Sequence, residues 1–354
     1  MRILDRYIAS SVISGTLIAL AVLLPLLGFF LMADEVDQIG EHDYQFVDAL
    51  IYVTLSMPRY AYEIFPIATL IGAVAGLGAL ASGSELVAMR AAGISIGRLV
   101  LAALKGGMPL VLAAILIGEG LAPYAQQQAQ QGRSEALTGQ VMQHTDSGFW
   151  ARDGDTFVNI REILSGSNLR DISIYEIGPR QRLTLASHAE EARYADGQWT
   201  LESIVRSHIS LSGVQVERIG HARWDSLLNP RLLEVIVIEP EALPVWDLYH
   251  YVRFMANTDQ DGRRYEVVLW SKLVHPALIL TMIFVAIPIL LGSTRTKSMG
   301  TQIVLAILVG IVLYLLSRTL VYLSLLFDLS PMIAATLPPL FFLAAALWLL
   351  RRVG

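Results

Sequence analysis

The chain has 354 residues, 54% of them hydrophobic and 16% charged, with a formal charge of −5 and a mean hydropathy of +0.54. Soluble domains run at about 45–50% apolar and about 25% charged, so the balance points to an integral membrane protein. The acidic charge argues against a nucleic-acid partner, which calls for a basic stripe. A chain without cysteine has no disulfide framework, thiolate nucleophile or cysteine metal site.

Met1-Arg2-Ile3-Leu4-Asp5-Arg6 leads into an apolar run from about Tyr7 to Met32. A cleaved signal has an apolar region of only about 7–15 residues, so this run reads as a retained membrane helix. Five further runs approach the roughly 20 apolar residues that a bilayer crossing needs. They are Tyr60–Ala81, Leu99–Ala122, Leu273–Leu291, Thr301–Leu323 and Pro331–Leu350. The predicted fold is membrane α-helical, with six transmembrane helices set three and three around an inserted polar domain. The expected divisions are 1–123, 124–263 and 264–354. Phe46–Met57 is too short and too polar to cross, and reads as an interfacial helix in preference to the outer end of a tilted span.

Lysine and arginine in the short loops set the orientation. One side carries Arg2, Arg6, Arg90, Arg98, Arg295, Lys297, Arg351 and Arg352. The loop after the first span carries Asp34, Glu35, Asp37, Glu41, Asp43 and Asp48, with no basic residue before Arg59. Both termini and the segment Ser82–Arg98 are therefore expected in the cytoplasm, and the polar domain outside. Arg263, Arg264 and Lys272 run against the rule, from which long translocated domains are largely exempt.

Ser82–Arg98 is a polar island between two spans. Ser82 with Glu85 three residues on fits a capping box, and Gly93 is a natural helix stop. A helix over Gly83–Ala92 is too short to stand alone in water, so it must dock on its own spans or on another protein. Glu85 reads either as a local capping carboxylate or as the partner of an arginine on a cytoplasmic protein. Leu86, Val87, Met89 and Arg90 are the other candidate contacts.

The polar domain, about Tyr124–Arg263, opens with Gln126–Arg133, which reads as the third helix extended into solvent. The period then becomes twofold in Phe157–Ile160, Ile172–Tyr175, Leu201–Val205, His208–Leu211 and Val214–Val216. Asp153-Gly154 and Asp196-Gly197 are hairpin-turn dipeptides. Short strands at this spacing suggest an all-β sandwich or jelly roll. Val245–Asn257 returns to helical spacing and leads to the fourth span.

No catalytic constellation is evident. The seven histidines are scattered without metal-ligand spacing. Gly292–Ser298 imitates a phosphate-binding loop, but Thr296 stands where the second glycine belongs and the segment follows a membrane span. No cofactor is expected in this chain, and energy from ATP must come from another. Ionisable residues within spans are the remaining functional candidates. Arg318, late in the fifth span, suits an anionic headgroup through its fork, or else snorkels or pairs with a carboxylate such as Asp328. Arg59, Glu63 and Glu119 read as structural pairs, and Lys105 as snorkelling.

Leu4-Asp5-Arg6-Tyr7-Ile8, Ser84-Glu85-Leu86-Val87-Ala88-Met89-Arg90-Ala91-Ala92-Gly93, Gly148-Phe149-Trp150-Ala151-Arg152-Asp153-Gly154, Ile172-Ser173-Ile174-Tyr175, Leu269-Trp270-Ser271-Lys272 and the terminal Leu347–Arg352 form a recognisable set. Together these segments resemble the LptF/LptG permease family. The resemblance covers essentially the whole chain. It implies a multi-pass subunit of the bacterial inner membrane, not itself an enzyme, with a periplasmic β-jellyroll domain. The expected partners are a homologous six-helix permease subunit (LptF-like), a cytoplasmic ATPase dimer (LptB-like) that binds ATP and Mg, and periplasmic bridge proteins with jellyroll domains (LptC-like, LptA-like). Lipopolysaccharide would enter a lateral cavity from the outer leaflet, and the ATPase would drive closure through a coupling helix at 83–92.

On that reading Glu85, Leu86, Val87, Met89 and Arg90 serve coupling, while Arg318, Arg59, Ile64, Phe65, Leu313 and Leu320 face the lipid. Relatives can carry basic residues near the outer end of the first span, where this chain has the acidic Leu31-Met32-Ala33-Asp34-Glu35-Val36-Asp37. Phosphate recognition then falls on Arg318, Arg59 or the partner subunit, or divalent cations bridge the acidic rim. Rival readings are a mechanotransmission subunit that carries no lipid and a membrane-anchored scaffold. A passive anchor needs no docking helix, which argues against the scaffold.

Overall fold

The computed structural model describes residues 3–138, 143–153, 156–165, 168–178, 182–195, 198–210, 213–224, 240–257, 262–291, 299–327 and 329–353. The helices are α1 (Ile3–Glu35), α2 (Phe46–Ser82), α3 (Glu85–Ala91), α4 (Ile96–Ile115), α5 (Ala122–Thr138), α6 (Val245–Asn257), α7 (Arg263–Leu291), α8 (Met299–Leu326) and α9 (Pro331–Val353). A π-type turn, Leu116–Leu121, carries α4 on into α5. The chain divides into two compact units, one of residues 1–35, 53–126 and 263–354, the other of residues 36–52 and 127–262.

Among the described residues six helices are long and apolar enough to cross a membrane, in the order expected, and the greater part of each belongs to the first unit. In hydrocarbon, every backbone amide must be satisfied within its own helix, and association relies on close packing of small residues. The second condition is visible where α1 meets α2. Gly72 and Gly76 are four apart on α2 and lie directly on the backbone of Gly15, Thr16 and Ser11 of α1, leaving no room for a Cβ. On its other side α1 meets α4, where a Cβ on Gly106 would sit 2.7 Å from Ala9 Cα. The helix α7 packs on α4, α8 and α9. The two least enclosed spans, α1 and α8, leave Leu17, Ile18, Val22, Phe29, Leu308 and Ile311 exposed.

Phe46–Met57 does not form a separate interfacial helix. It is the start of α2, which runs unbroken to Ser82. Asp48 Oδ2 accepts from the Gln45 amide at 2.9 Å, fixing the start at Phe46, and Pro58 and Pro66 are accommodated without ending the helix. The extension of the third span through Gln126–Arg133 is as expected and continues to Thr138. The helix over Val245–Asn257 also falls where its spacing placed it.

The inserted β domain is an antiparallel sheet of six described strands in consecutive order. They are β1 (Gln143–Asp153), β2 (Thr156–Ser165), β3 (Asn168–Gly178), β4 (Arg182–Ala195), β5 (Gln198–Ser210) and β6 (Gly213–Trp224). Ala195 pairs with Gln198 and Asp153 with Thr156, bracketing the two turn dipeptides, of which Gly154, Asp196 and Gly197 lie outside the described residues. One face buries Ile160, Ile172, Ile174, Leu201, Ile204 and Trp199.

One row of unpaired positions crosses the sheet. Pairing skips Asp171 on β3, Glu190 on β4 and Ser203 on β5, and Asp171 and Ser203 have φ of 56° and 53°. Buried positions on these strands therefore step by three across the row, as in Leu169 to Ile172 and Leu201 to Ile204, before alternation resumes. The skipped residues oppose one another, so the pairing register is the same on both sides of the row. Beside the row, the Arg170 and Arg193 guanidiniums hold the Glu191 carboxyl below its usual range.

Trp199 is 1% exposed and meets Tyr194 and Trp224 at ring distances of 5.1 and 6.2 Å. Trp199→Ala should destabilise the sheet by roughly 3–5 kcal/mol. Near-ultraviolet circular dichroism of the full chain in detergent should then melt earlier, with helical signal retained.

Candidate functional site

The candidate coupling element is α3, reached from α2 by only Gly83 and Ser84. That connection is too short for the expected capping box. Ser82 remains the last residue of α2 and its Oγ donates to the Ala79 carbonyl at 2.9 Å, while Ser84 takes φ 61° and starts α3 without a side-chain cap. The far end is as expected. Gly93 takes φ 88°, its amide donates to the Arg90 carbonyl, and the Ile94 amide reaches back to Met89 at 3.1 Å. This is a Schellman closure. Ser95 then caps α4, its Oγ accepting from the Arg98 amide at 3.3 Å.

The seven-residue α3 is docked. Leu86 is 6% exposed and Met89 packs against the same bundle core, so these two candidate contacts face the chain's own spans. Val87 is 60% exposed, Arg90 is also exposed, and Glu85 is half-buried at the first position with the Tyr7 phenol facing its carboxylate. Val87 and Arg90, flanked by Glu85, are thus the surface that α3 offers to another molecule.

Beneath α3 lies a cluster that the sequence reading missed. Asp5, in the first turn of α1, is 2% exposed; its Oδ1 accepts from Arg98 Nη2 at 2.9 Å and its Oδ2 from Lys105 Nζ at 2.8 Å. Lys105 therefore does not simply snorkel: it is held by a buried carboxylate one hundred positions away in sequence. Arg98 and Lys105 are seven apart, two turns of one helix face, and that spacing was the available signal.

At the opposite end of the bundle, Glu63 joins Arg59 at 3.2 Å and Arg318 at 3.5 Å, and Arg318 also lies over the Tyr314 ring. Among the described residues Glu63 is a carboxylate that meets Arg318; Asp328 lies outside them. Glu119, within the π-type turn, pairs with Lys272 at 3.5 Å. Lys272 lies over the Tyr62 ring, which stacks on His275 at 4.1 Å, and Gly118 leaves room for that ring. Phe65 and Leu313 are each 2% exposed in the bundle core, whereas Ile64 and Leu320 are partly exposed beside the ion cluster's helices. Among the described residues no group of three or more histidine or acidic side chains converges to hold a metal ion. The phosphate-loop mimic Gly292–Ser298 lies outside the described residues.

Among the described residues, six candidate spans, a β domain inserted between the third and fourth, and a short docked helix between the second and third define the architecture of a polytopic membrane protein. Residues 6–352 match the family model for the lipopolysaccharide export system permeases LptF/LptG. The chain is 33% identical to the lipopolysaccharide export system permease protein LptG of Escherichia coli (strain K12), over 99% of this chain and 98% of that one. It is 32% identical to the protein of the same name in Haemophilus influenzae, again over 99% and 98%. The chain belongs to the LptF/LptG family.

Proposed function

We propose that this chain is the permease subunit of a lipopolysaccharide exporter, set in the bacterial inner membrane and driven by a separate ATPase. The observation that carries the reading is α3. A helix of this length has no stability of its own, yet Leu86 and Met89 anchor it to the bundle so that Val87 and Arg90 stay exposed. Such a helix transmits a push from outside the membrane. The full-length likeness to two lipopolysaccharide export permeases supports the substrate.

The basic residues at the α3 end, among them Arg6, Arg90, Arg98 and Arg351, support a cytoplasmic location for that end and a periplasmic one for the β domain. A cytoplasmic ATPase dimer holds ATP and Mg, a homologous six-helix subunit completes the membrane pair, and periplasmic jellyroll proteins receive the lipid. ATP-dependent release of lipopolysaccharide from proteoliposomes containing the complex is the test, and ATP hydrolysis without release would overturn it.

Arg318 is the proposed phosphate contact, with Arg59 beside it and Ile64 and Leu320 supplying apolar surface. Glu63 holds Arg318 in place, and an anionic headgroup competes for the same guanidinium. Arg318→Ala should lower photocrosslinking of lipopolysaccharide to residue 320. An unchanged yield would assign Arg318 to pairing with Glu63 alone.

A further inference from the structure

We infer that Asp5 is the positioning residue that makes α1 move together with the coupling segment α3–α4, an inference that rests on α3 being the coupling helix. The path is continuous. The Schellman closure at Gly93 and the Ser95 cap make the α3–α4 corner a fixed turn, so displacement of α3 is delivered to the first turn of α4. Arg98 stands in that turn and Lys105 two turns further along the same face. Each takes one oxygen of the Asp5 carboxylate, at 2.9 and 2.8 Å.

One turn along α1, Ala9 lies against Gly106, the residue next to Lys105, so the ion cluster and the backbone contact form one seam. Tyr7, on the same turn of α1, has its phenol facing Glu85 of α3 itself. Ile8 is 1% exposed in the core. The opening Leu4-Asp5-Arg6-Tyr7-Ile8 therefore has a physical role: it keys the start of α1 to both arms of the coupling segment.

The cluster is one-sided, which sets the expected behaviour. Two cations converge on a single buried carboxylate, so removing Asp5 leaves Arg98 and Lys105 facing each other with no anion between them. Their side chains are 33% and 49% exposed and can turn to water, so α1 detaches without an unpaired charge being buried. The α1–α2 glycine contact does not depend on the cluster, so the bundle itself persists.

The experiment uses the complete complex in proteoliposomes with Asp5→Asn. Lipopolysaccharide released is measured per ATP hydrolysed. Because this chain lacks cysteine, nitroxide labels at Ser10→Cys on α1 and Leu101→Cys on α4 can report their separation in a complex whose other subunits are cysteine-free. With Asp5 present, one narrow distance should persist between nucleotide-free and vanadate-trapped states. Asp5→Asn should add a second, longer distance on trapping and lower lipid released per ATP about fivefold or more, and Asp5→Glu should restore most of both. A single distance with undiminished release in Asp5→Asn would overturn the inference. If Asp5→Asn does not assemble, Lys105→Met leaves Arg98 on Asp5 and should show the same changes to a smaller degree; their absence there would equally overturn it. A complex with Asp5 intact that hydrolyses ATP and releases no lipid would overturn the transport reading instead, and the label distances would still report whether Asp5 binds α1 to α4.

Discussion

Glu85→Lys should abolish lipopolysaccharide export while leaving the chain folded and inserted. Glu85 opens α3, and its carboxylate is half-buried beside Tyr7. Within the chain, the reversal costs little. A cation at a helix N-terminus is unfavourable by about 0.3–1 kcal/mol, whereas the anchors Leu86 and Met89 are untouched and the bundle packs through other residues. Toward a partner the effect is large, because a carboxylate suited to a cation becomes a like charge and the docking surface is only one helix wide. The measurement pairs growth of cells depending on this chain with thermal stability of the purified protein. Lost growth at unchanged stability is expected. Normal export would remove α3 from the coupling role.

The largest effect on folding should come from Gly72→Leu. The α1–α2 contact leaves no space at Gly72, Gly76 or Gly15, and the atoms in the way are backbone, which cannot rotate aside. A leucine at Gly72 must push α1 off α2 for several residues on either side, at an expected cost of about 3 kcal/mol or more. Gly78 is a contrasting position on the same helix, where a Cβ would meet only side-chain atoms at 3.5 Å and beyond. Gly78→Ala should therefore be tolerated. Thermal aggregation of the two variants in detergent measures the difference, and equal behaviour would mean the glycine seam contributes little.

The architecture was legible because the six apolar runs and the twofold pattern of the middle domain are signals of burial, written directly in residue type. The α3 corner was legible for a similar reason, since Gly93 supplies a left-handed backbone that few residues adopt. The strand β4 was not. Its Ala-Glu-Glu-Ala stretch reads as helix, and its inward residues Ser187, Ala189 and Ala192 are small, so their burial leaves little hydrophobic trace. His208–Ser210 likewise belongs to the same strand as Leu201–Val205, the two runs being joined through the polar Arg206-Ser207.

The ion clusters were legible only as a list of charges. Asp5 with Lys105, Glu119 with Lys272 and Glu63 with Arg318 are partners far apart in sequence, the nearest pair 100 positions apart, and only the packing of the spans chooses among the carboxylates. The same packing places Phe65 and Leu313, two of the expected lipid contacts, among the buried residues of the core. Residue type alone does not say which side of a uniformly apolar helix faces its neighbours.

The most direct test of the account is mild-detergent purification of this chain from its native membrane, followed by native mass analysis. The account predicts one assembly containing this chain, a homologous six-helix subunit, two copies of an ATPase and bound lipopolysaccharide. An assembly that holds the ATPase but no lipid, in detergent and in nanodiscs alike, would contradict it.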